Sequence, residues 1–177
     1  MLAEANCRAL GIQTVSLAVA DANDMKVNKF AAWHMDPDRR ATGKRGIRLE
    51  NHNPGVDKIR QFLDENRKAG IKLAPGTRIP DDWAESAEVE WIGSRGECRQ
   101  QMLWFDELAR YPGQRAATVF APGASEPYTI HGKPVKNLPV ADELGRYVYE
   151  PHAAVLAAHL TGVLSDRHAL PCVSPKI

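Results

Sequence analysis

The chain lacks the residue patterns that several classes of protein need. Its 177 residues include three cysteines, far apart and without a CxxC pair. This pattern predicts neither a disulfide framework nor a zinc knuckle. The six histidines show no HExxH or HxxxH spacing, and no GxSxG or P-loop motif occurs. The sequence therefore predicts no metal site and no nucleophilic serine or phosphate-loop chemistry.

Long apolar runs and excess charge of one sign are also missing. No apolar run reaches the roughly 18 residues of a spanning helix, and the first residues, MLAEANCRALG, do not have the order of an export signal. The net charge is +1, so any affinity for nucleic acid or a membrane must come from a local patch. We expect a cytoplasmic protein without a membrane partner.

What the chain does have is an alternation of helical and strand patterns. In order, the predicted elements of the first half are a helix over 2–10, strands over 13–20 and 30–35, a helix from 56 closed by Gly70, and a strand over 71–75. Residues 30–35 are apolar almost throughout, which is typical of a strand covered on both faces. This order predicts an α/β fold with a mostly parallel sheet.

The second half has a different character. Strands are predicted over 88–94 and 115–122, residues 123–145 resemble a linker with a small hairpin, and Pro151 opens a last helix. The segment ECRQQMLWFDELAR, residues 97–110, fits either a helix or a strand, and its periodicity does not decide between them.

Polar turns follow three of the predicted strands. They are Asp21-Ala22-Asn23, Asp36-Pro37-Asp38-Arg39 and Ala74-Pro75-Gly76. Ligands of open parallel sheets bind beyond the carboxyl ends of the strands, where a carboxylate can accept hydrogen bonds from ribose hydroxyls or an amine. Asp and Pro are also common in turns for local reasons alone. The order of the three turns, more than any single one, favours a ligand site.

The same residues carry a resemblance to a known family. The segments ANCRALG, VSLAVADA, FAAWHMDPDRR and GIKLAPG resemble the second half of a class I S-adenosylmethionine-dependent methyltransferase. More narrowly, they resemble bacterial methyltransferase-like proteins that read DPxRR after the fourth strand and continue through KLxPG and EVEW. Residues 143–164 resemble the THUMP-like C-terminal segment of those proteins. The resemblance implies a partial Rossmann-like domain over 1–123 and a small α+β, THUMP-like segment over 124–177.

The resemblance also implies roles for individual residues. Asp21 and Ala22 match the turn that lies against the adenine of S-adenosylmethionine, and Asp36 matches a further cofactor contact. The motif Asp36-Pro37-Asp38-Arg39 matches the turn that faces the methionine end and the methyl acceptor. Aspartate at its first and third positions departs from the Asn-Pro-Pro-Tyr form of amino-methylating relatives.

A basic loop follows the acidic turn. Arg39, Arg40, Lys44, Arg45 and Arg48 fall within ten residues, and such a cluster can bind the phosphates of an RNA acceptor. A solvated loop without a ligand is the other interpretation.

One part of the family pattern is missing. No GxGxG stretch occurs in the chain, although class I methyltransferases hold their cofactor with a glycine-rich turn. We expect a truncated gene product, or else a rearrangement in which exposed strand edges pair in a homodimer. Two functions follow as hypotheses: a methyltransferase acting on an acceptor such as RNA, or a non-catalytic module that binds RNA or a protein.

Overall fold

The computed structural model describes residues 2–39, 48–136 and 138–174. Its helices are α1 to α5 and its strands β1 to β6. The helices are α1 (Leu2–Ala9), α2 (Val56–Glu65), α3 (Asp81–Ser86), α4 (Ala153–Ala157) and α5 (Thr161–His168). The strands are β1 (Trp33–Met35), β2 (Ala69–Leu73), β3 (Glu88–Ser94), β4 (Glu97–Trp104), β5 (Arg115–Phe120) and β6 (Tyr128–Gly132).

Within these described residues the strands form one six-stranded sheet. Its order is β1-β2-β4-β3-β5-β6. The pairs β1–β2 and β3–β5 are parallel, and the other three pairs are antiparallel. Consequently β1, β2, β3 and β5 point in one direction, whereas β4 and β6 point in the other. Because four of the six strands share one direction, the predicted α/β class with a mostly parallel sheet is confirmed.

Most of the core lies on the face of the sheet that the helices α2, α3 and α4 cover. Phe62 of α2 is fully buried and meets the Trp33 ring edge-on, with 5.8 Å between ring centroids. Trp83 of α3 packs in the same way on Phe105, at 6.0 Å. Burial of such large rings is the main stabilising contribution available to this fold.

Asn66 fastens the N-terminal segment to this core. Its carbonyl oxygen accepts a hydrogen bond from the indole Nε1 of Trp33 at 2.7 Å. Its side-chain amide donates to the carbonyl oxygens of Val27, at 3.2 Å, and Phe30, at 2.8 Å. Asn66, which directly follows α2, therefore holds in place the segment that leads into β1.

The helix α4 reaches the sheet through a close approach at Gly93. A side chain there is impossible without movement, because its Cβ would lie 2.4 Å from Cε1 of His152. His152 caps α4 by accepting a hydrogen bond from the amide of Ala154 at 3.1 Å. Glycine at this position of β3 therefore allows α4 to pack directly on the sheet.

Two expectations for the first half of the chain are wrong. Residues 13–20 form no strand and are exposed, because the described chain offers them no neighbouring strand to pair their backbone groups. The strand predicted over 30–35 is only Trp33–Met35, and it is not covered on both faces, since His34 is exposed.

Three further boundaries differ from prediction. The helix α2 ends at Glu65 rather than Gly70, because Asn66 has extended backbone angles and Gly70 lies inside β2. The ambiguous segment 97–110 is a strand up to Trp104. The last helix is two short helices, separated where His159 adopts a left-handed φ of 55°.

We expect Phe62→Ala to lower the free energy of unfolding by about 3–5 kcal/mol, because it removes a fully buried ring. Leu10→Ala is the matched control, since Leu10 is 73% exposed and its change should stay within about 0.5 kcal/mol. Urea unfolding at 25 °C measures both. An equally large loss in Leu10→Ala would mean that residues 2–20 pack on the core.

Candidate functional site

The candidate site begins where β1 and β2 end side by side. These parallel strands pair Met35 with Ile71, so Asp36, which follows β1, lies next to Lys72. The two side chains form an ion pair, with 2.5 Å between Lys72 Nζ and Asp36 Oδ2. Both remain substantially exposed, at 39% for Lys72 and 57% for Asp36. An exposed pair contributes only about 0–1 kcal/mol, so its main effect is to hold a carboxylate at this edge.

The residues after Asp36 turn back onto a distant loop. Pro37 is buried. Asp38 and Asn53 exchange two backbone hydrogen bonds, of 2.8 Å from the Asp38 amide and 3.0 Å from the Asn53 amide. The Asp38 carbonyl oxygen thus already accepts one hydrogen bond. The rigid Asp-Pro-Asp segment therefore presents its carboxylates to solvent while its backbone is held.

Asn53 also joins a second acidic turn. One carboxylate oxygen of Asp21 accepts hydrogen bonds from the backbone amide and the side-chain amide of Asn23, both at 2.9 Å. The same side-chain amide of Asn23 donates a long hydrogen bond, of 3.4 Å, to Asn53 Oδ1. The structure thus brings the turns at 21–23 and 36–38 together, although the strand predicted before the first turn is absent.

The charge of Asp21 is stabilised locally. The backbone amide of Asn23, and then its side-chain amide, hold the pKa of the Asp21 carboxyl below its usual range. The lowered pKa keeps the Asp21 carboxyl ionised. Because this carboxyl is exposed, the shift adds little to the stability of the fold.

The third predicted turn has a different environment. Thr77 donates its backbone amide to the Ala74 carbonyl oxygen at 3.0 Å, and the Pro75 carbonyl oxygen accepts a hydrogen bond from Trp91 Nε1 at 2.9 Å. These contacts tie the turn to β3. Pro75 and Gly76 line a large cavity, whose lining contains none of the described residues of the two acidic turns.

The basic residues are placed only in part. Arg39 is half-buried directly after the acidic turn, and Arg48 is exposed. The backbone of Arg48 forms a bridge with Arg78. The remaining predicted phosphate contacts, Arg40, Lys44 and Arg45, lie outside the described residues.

Two polar residues at these turns and one inside the sheet escaped the sequence reasoning. Lys72 is a charged residue within an otherwise apolar strand. That polar position is the sequence signal that could have identified it. Asn53 precedes Pro54 in a polar loop, where local turn formation is the ordinary interpretation. Glu90 accepts hydrogen bonds from Trp104 Nε1 at 2.7 Å and from Thr118 Oγ1 at 2.5 Å. Both of its carboxylate oxygens are thus bound within the sheet, which gives Glu90 a structural role.

Metal-binding clusters and membrane-spanning helices are both absent from the described residues. These residues contain no group of three or more His, Cys, Asp or Glu side chains placed to hold a metal ion. No helix among them has the length and apolar character to cross a membrane.

We expect the Asp21 carboxyl to titrate below the ordinary aspartate range, and Asn23→Ala to raise its pKa part of the way, because the backbone donor remains. Carbon-13 NMR titration measures both. With a lowered pKa, the turn is stabilised above about pH 4 and loses that stabilisation as pH falls through the folded-state pKa.

The control for this titration is Asn53→Ala, because Asn53 contacts Asn23 rather than the Asp21 carboxylate. The pKa of Asp21 should not move in that variant. An ordinary or raised pKa of Asp21 in the unaltered chain would contradict the turn geometry.

Comparison with known proteins gives relatives of this chain. No protein-family model matches it. Two curated proteins from Mycobacterium tuberculosis, of strains CDC 1551 and H37Rv, are each 29% identical to it over 99% of the chain. Both are named uncharacterized S-adenosylmethionine-dependent methyltransferases. The chain spans about half the length of these relatives, 48% of each.

A solved structure adds a likeness of fold. The crystal structure of a protein from Porphyromonas gingivalis W83, named as a methyltransferase, matches with a TM-score of 0.55 and 19% identity. The match covers 76% of this chain and 35% of that one. At this level of identity the likeness concerns the α/β fold alone.

Proposed function

We propose that the chain is part of an S-adenosylmethionine-dependent methyltransferase. The observation that carries this proposal is the meeting of two acidic turns through Asn53, beyond the end of parallel strands. The curated relatives' names support the same chemistry. Within the proposal, Asp21, Ala22 and Asp36 contact the cofactor, and Asp36, Pro37, Asp38 and Arg39 face the methyl acceptor.

The carboxylate acceptors of the two turns fit part of such a cofactor. Exposed carboxylates accept hydrogen bonds from hydroxyl and amino groups, and the cofactor's ribose and amino ends present such donors. The chain has no GxGxG turn to hold the rest of the cofactor. We propose that a second copy paired at the edge of β1 supplies the other contacts.

The chemistry needs little more than positioning from these residues. When bound, S-adenosylmethionine supplies the methyl group. The buried Pro37 and the two Asp38–Asn53 hydrogen bonds hold the turn rigid, so an acceptor atom on it keeps one orientation. The ion pair with Lys72 keeps the Asp36 carboxylate at the strand edge. Reactants held in one orientation react faster than freely rotating ones, so a rigid turn is the useful contribution of this segment.

We expect S-adenosylhomocysteine to bind the purified chain in the micromolar range in a calorimetric titration. Asp36→Asn should weaken this binding by at least about tenfold, or 1.4 kcal/mol. The control is Asp64→Asn, an equal loss of charge on the exposed side of α2, which should bind as the unaltered chain does. No binding by folded chain, or equal loss in both variants, would count against a cofactor site at Asp36 in this chain.

RNA is the acceptor that the basic residues favour. Arg39 adjoins the acidic turn, so phosphates bound to it would lie beside the proposed transfer site. We propose that Arg39, Arg40, Lys44, Arg45 and Arg48 contact them. Four further expectations belong to the same proposal and stay predictions. They are the DPxRR branch, the domain division after residue 123, the THUMP-like segment and the cytoplasmic location.

We expect structured RNA to bind in a filter assay with an affinity that falls as salt is raised, because phosphate binding releases counterions. Arg39→Gln combined with Arg48→Gln should reduce the magnitude of the salt slope by about one for each cation that no longer pairs with a phosphate. Lys26→Gln combined with Lys29→Gln removes the same charge elsewhere and is the control. Binding of RNA without binding of S-adenosylhomocysteine would favour the non-catalytic module.

A further inference from the structure

A large cavity lies apart from the acidic turns. Its volume is about 720 Å³, which is within the usual range of small-molecule sites. The walls come from the loop after β2, the helix α3, the start of β5 and the end of β6. The residues used below are Thr77, Arg78, Trp91, Gln101, Arg115 and Lys133, all of which line it.

Two buried side chains of this lining each have an oxygen atom that is unpaired among the described residues. Thr77 is 5% exposed and Gln101 is 2% exposed. Neither Thr77 Oγ1 nor Gln101 Oε1 has a hydrogen-bond partner among the described residues. Buried polar atoms in proteins are nearly always paired, and leaving one unpaired destabilises the fold. Two such atoms in one cavity wall indicate a ligand that pairs with them.

The position of Gln101 makes this indication stronger. In the sheet, Gln101 lies between Leu73 of β2 and Trp91 of β3, both of which are buried and apolar. An apolar side chain at the same position would pack there without an unpaired atom. Stability alone therefore does not explain a glutamine in the middle of β4.

The charge of the cavity is positive. Arg115 is half-buried, its guanidinium lies 5.5 Å from the centre of the Trp91 ring, and Nη1 donates to the Ala158 carbonyl oxygen at 3.1 Å. No carboxylate among the described residues forms an ion pair with it, and burial lowers the pKa of its guanidinium. Arg78 and Lys133 add two exposed cations, whereas Asp81 is the acidic residue of the described lining.

We propose that this cavity binds a small phosphorylated sugar or a similar hydroxyl-bearing phosphate ester. Arg115, Arg78 and Lys133 bind the phosphate, since several cations suit a dianion better than a neutral ligand. Rotation of the two side chains on binding lets the Thr77 hydroxyl donate to a ligand oxygen and Gln101 Oε1 accept from a ligand hydroxyl. The site uses none of the residues assigned to methyl transfer. Its test is therefore independent of the test of the proposed function.

The test is calorimetric titration of the full chain with ribose 5-phosphate, inorganic phosphate and ribose. Ribose 5-phosphate should bind, inorganic phosphate more weakly, and ribose not measurably. Arg78→Gln combined with Lys133→Gln should weaken ribose 5-phosphate binding by at least about tenfold. Lys29→Gln, an exposed cation outside the cavity lining, is the control and should leave the affinity unchanged. Absence of binding by both phosphates, or equal binding of ribose, would overturn the proposal.

A second variant separates a direct role in ligand binding from a structural role. Gln101→Met replaces the unpaired amide with an apolar side chain of similar length, so its thermal midpoint without ligand should rise by a few degrees. Its affinity for ribose 5-phosphate should fall several-fold, whereas that for inorganic phosphate should hold, because Gln101 pairs with a sugar hydroxyl. A lowered midpoint with unchanged affinity for ribose 5-phosphate would overturn the role of Gln101.

Discussion

The path of residues 27–33 into the sheet depends on the hydrogen bonds of Asn66. The first residues of the chain bury nothing, since α1 has no buried side chain and residues 13–20 are exposed. The Asn66 bonds to Val27, Phe30 and Trp33, together with the packing of Trp33 on Phe62, bring the chain into β1. Only with β1 in place beside β2 do Asp36 and Lys72 lie together. The candidate transfer site is thus a consequence of packing around one asparagine.

The two candidate sites use different physical means to hold polar groups. At the acidic turns the carboxylates are exposed, and local hydrogen bonds fix their orientation, so the site destabilises the fold little. In the cavity, Gln101 and Thr77 are removed from water and lack hydrogen-bond partners for their side-chain oxygens in the described chain. Burial of that kind lowers stability, so the need for a ligand is greater in the cavity than at the turns.

Sequence patterns predicted some of the strands that pair within this chain. The alternation in EVEWIGS predicted β3 to the residue, because that strand has a buried and a less buried side, and RAATVFAP predicted β5 nearly to the residue. The same reasoning failed for VSLAVADA, whose pattern is equally suited to a strand. A strand forms only when another strand satisfies its backbone groups, and nothing within the segment reveals whether a neighbour exists.

By itself the sequence determined the α/β class, the strands β3 and β5, and the position of the Asp36-Pro37-Asp38 turn after β1. These features depend on local patterns of apolar residues and on turn chemistry, which adjacent residues carry. The tertiary structure alone decided that β4 is a strand, that Lys72 pairs with Asp36, and that Asn53 joins the two acidic turns. It also placed Gln101 and Thr77 in one cavity with Arg115. Each of these arrangements joins residues far apart in the chain, and their distances are set by the packing of the whole sheet.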